Sequence, residues 1–120
     1  MEVDLPVGFR LAKIISRHSD YPVKMGAVIV KKKKPLAVGF NQNKTHPLVK
    51  FTIHAEVDAL LTCDSGHAAG SIMYIYREHK DGSPANARPC KECMVALRRA
   101  EVAKIAYTID YFPYYIIEIV

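Results

Sequence analysis

The chain has little cysteine, and the count is odd: Cys63, Cys90 and Cys93 among 120 residues. An odd count argues against a closed disulfide framework. Long apolar runs are missing as well. Half of the residues are hydrophobic, yet no stretch approaches the roughly 20 residues that a membrane-spanning helix needs. Met1 to Phe9 carries Glu2 and Asp4 and lacks a basic segment followed by an apolar one, so it does not read as a secretory signal. No internal repeat or low-complexity linker divides the sequence. These absences lead to the expectation of a single domain over residues 1–120, cytoplasmic and without a membrane partner.

What is present is an ordinary globular composition, 24% charged, with a net charge of +5. Four of the positive charges form one run, Lys31 to Lys34. Such a run reads first as a solvated turn tip. Its other reading is an edge that attracts nucleotides or nucleic acid.

Leu5 to His18 shows the amphipathic spacing of a helix. Ala27 to Val30 and Leu36 to Phe40 read as two strands joined by the lysine-rich turn. Gly39, inside the second, marks a place where the backbone comes close to something else. Asn41 to Thr52 reads as a polar loop, with Thr52 the expected N-cap of a buried helix over His54 to Leu61. Ile72 to Tyr76 is a strand, Glu78 to Pro89 a loop and Cys90 to Ala100 a second buried helix. Val102 to Ile109 and Tyr115 to Val120 complete the order as strands, with a turn at Asp110 to Pro113. The result is an α/β chain with a mixed sheet and helices on its faces. Too few residues separate the last two strands for a crossover helix, so they are expected to be antiparallel.

Two segments carry chemistry. Phe51-Thr-Ile-His-Ala-Glu56 contains H-x-E, and Arg88-Pro-Cys-Lys-Glu-Cys93 contains P-C-x-x-C. Either alone is weak or moderate evidence. Both in this order, each opening an expected helix, match the signature of zinc deaminases. His54, Cys90 and Cys93 supply three ligands of the types zinc prefers and leave a fourth position open for water. Cys90 and Cys93 are three residues apart and share one helix face. The partial positive charge of a helix start favours their thiolates. Glu56 lies beside His54 and is placed to shuttle a proton without being a ligand. The alternatives are a closed structural zinc site, with Cys63, His67, His46 or His79 as fourth ligand, and a redox-active cysteine pair.

On these residues the sequence resembles the cytidine and deoxycytidylate deaminase superfamily, over about Leu5 to Val120 and most strongly over Gly26 to Tyr107. The resemblance implies a three-layer α-β-α fold with a five-stranded sheet. It implies Zn2+ held by His54, Cys90 and Cys93, with Glu56 as the proton shuttle. Val38-Gly39-Phe40-Asn41 resembles the family's G-x-N segment, which implies that Asn41 contacts the substrate's sugar or base. Ala55 and Pro89 match positions that offer a backbone N–H and a carbonyl to the base.

The hairpin-like ending resembles free cytidine deaminases and short phage deoxycytidylate deaminase-like proteins more than polynucleotide editors. The expected reaction is therefore hydrolytic deamination of cytosine in a free nucleoside or nucleotide. The alternative is a deaminase of tRNA adenosine or of cytosine in single-stranded DNA or RNA. Lys44, His46, Lys50 and Arg88 are candidates for a nucleotide phosphate. The aromatic cluster Tyr111, Phe112, Tyr114 and Tyr115 reads first as core or subunit interface. A homo-oligomer is expected, since the family usually completes its sites across subunits.

Overall fold

In strand β1, Met25–Lys31, alternate side chains enter two different cores. Ala27 and Ile29 pack into one cluster, and Val28 between them packs into the other. That alternation is the period-two geometry of a strand covered on both faces. The computed structural model describes residues 4–45, 50–64 and 66–120.

One face is covered by helix α1, Gly8–Ser16, which buries Phe9, Ala12 and Ser16 at helical spacing. Phe9 and Ala12 pack with Val28, Tyr76 and Ala106. The other face is covered by α2, Ala55–Thr62, and α3, Lys91–Arg99, through Ala55, Ala59, Met94 and Leu97. Between the layers lie β2 (Lys34–Phe40), β1, β5 (Ile72–Arg77), β6 (Lys104–Thr108) and β7 (Tyr115–Ile119), in that spatial order. β1 is antiparallel to both β2 and β5. β5 and β6 are parallel and joined through α3, whereas β6 and β7 are antiparallel. The fold is thus the expected three-layer α/β arrangement, with a mixed five-stranded sheet and its last two strands antiparallel.

Three boundaries differ from expectation. The segment Asn41 to Thr52 is not all loop: β3, Gln42–Thr45, pairs antiparallel with β4, Lys50–Ile53, as a separate two-stranded sheet. β3, Gln-Asn-Lys-Thr, lacks the apolar alternation that reveals a half-buried strand, and Lys-Phe-Thr-Ile of β4 alternates over only four residues. His46 and Pro47 lie outside the described residues, as do the side chains of Lys44 and Lys50. Thr52 belongs to β4, and the N-cap of α2 is His54. α1 is also shorter than Leu5 to His18.

Two features set the site's position. A Cβ on Gly39 would lie 2.3 Å from Ala59 N and 2.5 Å from Ala55 O. Only glycine lets α2 sit this close to β2. The lysine run forms a two-residue turn, with Lys32 at φ 51° and Lys33 at φ 65°. Met25 and Phe40 stand at the other end of that hairpin, roughly 20 Å away for strands of this length.

Candidate active site

His54 and Cys90 occupy equivalent places. Each is the N-cap of its helix with extended backbone, at φ −73°, ψ 154° and φ −69°, ψ 170°, and neither side chain caps its own helix. The two side chains turn toward each other instead. His54 Nδ1 lies 3.2 Å from Cys93 Sγ and 3.6 Å from Cys90 Sγ. The three potential ligand atoms all lie within 4.8 Å of one another. A tetrahedral zinc with ordinary bond lengths separates a nitrogen and a sulfur ligand by about 3.5 Å, which the two measured distances bracket. Among the described residues no other group of three histidine, cysteine or carboxylate side chains is gathered this way. Cys63 caps the far end of α2, and His79 Nε2 is bonded to Asp110 Oδ1 at 2.6 Å. His46 lies outside the described residues.

The electrostatics point the same way. Burial first, then the neighbouring Glu56 and Cys90, push the Cys93 thiol far above its ordinary range. Without a cation this is a poor place for a thiolate. A bound dication reverses that balance and deprotonates a coordinating thiol.

Glu56, the second residue of α2, is 2% exposed, and its Oε1 has no hydrogen-bond partner. Burial raises its carboxyl pKa, opposed by the Glu56 amide, His54 and Cys93. Buried polar atoms in native folds are almost always paired. An orphaned carboxylate oxygen beside three metal-type ligands fits a site completed by a metal and by the molecule that the metal activates. The residues present therefore fit zinc.

A cavity of about 280 Å³ opens at this point, lined by Tyr21, Met25, Asn41, His54, Glu56, Arg88 and Cys90. The fold thus brings together five residues singled out from the sequence, Asn41, His54, Glu56, Arg88 and Cys90. Ala55 and Pro89 are buried, each adjoining a lining residue in the chain. Tyr21 and Met25 were not anticipated. Met25 begins β1 and Tyr21 lies in the turn before it, where no motif marks them.

Asn41 is held rigidly. Its Oδ1 accepts from Met25 N at 2.8 Å, and its Nδ2 donates to Val23 O at 2.7 Å. Arg88 is tied back by Glu118, at 3.3 and 3.4 Å, and Glu118 accepts a shorter bond from Tyr107 Oη, 2.6 Å. The aromatic cluster divides. Tyr115 packs on Phe9 at 6.0 Å, whereas Tyr111 and Phe112 are exposed.

A family model described as the cytidine and deoxycytidylate deaminase zinc-binding region matches residues 9–109. The chain belongs to this family. It is a hydrolytic deaminase, and the His54, Cys90 and Cys93 cluster fits the family's zinc. This deaminase is similar to the dCMP deaminase of cyanophage S-TIM5 solved with dCMP and dUMP. The identity is 25%, the TM-score 0.64, and the match covers 86% of this chain and 79% of that one. The cytidine deaminase of Burkholderia pseudomallei shares the fold at 17% identity and TM-score 0.65, over 90% of this chain and 86% of the other. RibD of Acinetobacter baumannii matches at 24% identity and TM-score 0.56, over 84% of this chain and 27% of its own length. No curated protein matches. Among the described residues no helix is long and apolar enough to cross a membrane.

Proposed function

We propose that this deaminase, as one domain over residues 1–120, hydrolyses the exocyclic amine of cytosine in a free nucleoside or nucleotide. Cytidine, deoxycytidine or dCMP goes to its uracil form, water is consumed and ammonia released. The observation that carries the reading is the orphaned Glu56 Oε1 in a pocket wall shared with His54 and Cys90.

His54, Cys90 and Cys93 would hold the metal. Zinc bound there supplies Lewis acidity that makes water a nucleophile near neutral pH. Glu56 takes a proton at its unpartnered oxygen and returns one to the departing amine. Burial raises its pKa above the ordinary carboxylate value, which strengthens it as a proton acceptor. Asn41 orients the substrate. One of its amide hydrogens goes to Val23 and one Oδ1 lone pair to Met25, which leaves one of each for a ligand. The Ala55 amide, in the first turn where helix N–H groups lack helical partners, and the Pro89 carbonyl are assigned to the base edge. Arg88 is the described cation at the pocket and the candidate for a 5′-phosphate.

The lysine turn stands at the opposite end of the β1–β2 hairpin from Met25, which favours a small substrate over a polynucleotide. Tyr111, Phe112, Ile117 and Ile119 are exposed, and we assign this apolar surface to contact between copies in a homo-oligomer. A cysteine pair gathered with His54 as metal ligands instead of closed as a disulfide suits a reducing cytoplasm.

The test measures ammonia release from dCMP, deoxycytidine, cytidine, adenosine, tRNA and cytosine-containing single strands at matched concentration and physiological salt. Turnover of one or more small cytosine substrates is expected. Conversion of strands or of tRNA adenosine, with no small cytosine substrate turned over, overturns the reading. Light scattering showing a monomer at assay concentration would reject the oligomer.

A further inference from the structure

We infer that Asp58 is a positioning residue that clamps the pocket wall carrying Asn41 onto the helix carrying His54 and Glu56. Asp58 lies one turn into α2, and its own amide donates to His54 O at 2.9 Å. One oxygen of its side chain, Oδ2, accepts two hydrogen bonds: from Phe40 N at 3.1 Å and from Gln42 Nε2 at 3.0 Å. These partners are the residues on either side of Asn41.

The arrangement holds the Asn41 segment from two sides. From the α1–β1 side, Asn41 is gripped by Met25 N, by Val23 O and by the Ser19 hydroxyl, which donates to Asn41 O at 2.7 Å. Those bonds place Asn41 relative to β1 and say nothing of its distance from Glu56. Asp58 supplies that second constraint. The other side-chain bond from α2 to β2, Thr62 Oγ1 to Val38 O at 3.0 Å, lies a turn farther along the helix. A carboxylate is well suited to the task, because bonds to a charged acceptor are stronger than neutral ones. The inference rests on the reading of Asn41 as a substrate contact.

Two consequences separate positioning from general support. Asp58→Ala should raise KM for the small cytosine substrate about tenfold while zinc content and kcat change little, because Asn41 contacts the substrate and takes no part in metal binding or proton transfer. Asp58→Asn should restore most of the loss, because its amide oxygen can accept the same two bonds. Gln42→Leu, which leaves α2 untouched, should reproduce part of the KM rise even where Asp58→Ala folds poorly.

The experiment measures KM, kcat and zinc stoichiometry for wild type and the three variants, with hydrogen exchange at the Phe40 amide as a second readout. Faster Phe40 exchange in Asp58→Ala but not in Asp58→Asn, together with the KM pattern, supports the clamp. Unchanged KM and exchange in Asp58→Ala, or equal damage from Asp58→Asn, overturns it. If wild type acts on no cytosine substrate, the proposed function fails and the exchange comparison alone decides the clamp.

Discussion

Removing the Glu56 carboxyl should destroy activity without weakening the protein. Glu56 is 2% exposed and its Oε1 lacks a partner. Leaving one such atom unsatisfied costs about 1–3 kcal/mol. Glu56→Ala removes that cost and gives up one buried methylene, worth about 0.8 kcal/mol. The metal-free variant is therefore expected to be more stable than wild type by about 0–2 kcal/mol. At about 4 °C per kcal/mol for a domain of this size, the melting temperature should stay level or rise by up to about 8 °C. The zinc-loaded variant should lose about 100- to 10,000-fold in kcat, the usual range for a general acid–base group. Calorimetry on metal-free protein and ammonia release from the zinc-loaded form measure the two effects. Zinc-loaded turnover within about tenfold of wild type refutes the proton-shuttle assignment. A metal-free melting temperature lowered by several degrees refutes the reasoning that the unpaired oxygen dominates the balance.

Further expectations concern single residues. Cys93→Ser should lose most zinc, read by elemental analysis, and zinc uptake by wild type should release protons, with the Cys93 thiol among their sources, read by titration calorimetry in buffers of different ionisation enthalpy. Full zinc content in the variant would count against the ligand assignment. Gly39→Ala should lower stability by about 1–3 kcal/mol or more, because the new methyl meets α2 backbone at 2.3 Å; an unchanged denaturation midpoint contradicts this. Glu118 has its pKa lowered, first by the Tyr107 hydroxyl and then by Arg88. Its contribution is thus present above the ordinary glutamate value and lost as pH falls through the lowered one. The melting difference between wild type and Glu118→Gln should be small at pH 7 and vanish in acid. A difference that grows in acid reverses the sign of this argument.

The sequence made the sheet and the metal ligands legible for different reasons. The apolar run of Ala27 to Val30 and the short link between Thr108 and Tyr115 constrain strand pairing by themselves. His54, Cys90 and Cys93 are recognisable because zinc accepts few side-chain types. The hairpin of β3 and β4 escaped notice because Gln-Asn-Lys-Thr has no apolar alternation, and backbone pairing alone makes it a strand. Tyr21 and Met25 reach the pocket through the path of the turn before β1, which no local pattern encodes. Gly39 was legible as a close approach, but not what approaches it. The Asp58 bonds depend on how α2 docks, and an acidic residue in a first helical turn reads only as dipole compensation.

The metal ligands are far apart along the chain. His54 precedes Cys90 by 36 residues and Cys93 by 39, and β5, which pairs with both β1 and β6, lies between them. The ligand triangle therefore depends on long-range contacts on both sides of that central strand. Zinc bound there is expected to act as a latch, not a nucleus. Loading should leave the refolding rate almost unchanged and slow unfolding instead, as expected for contacts formed after the folding transition state. What the cation would lengthen is the lifetime of the folded enzyme.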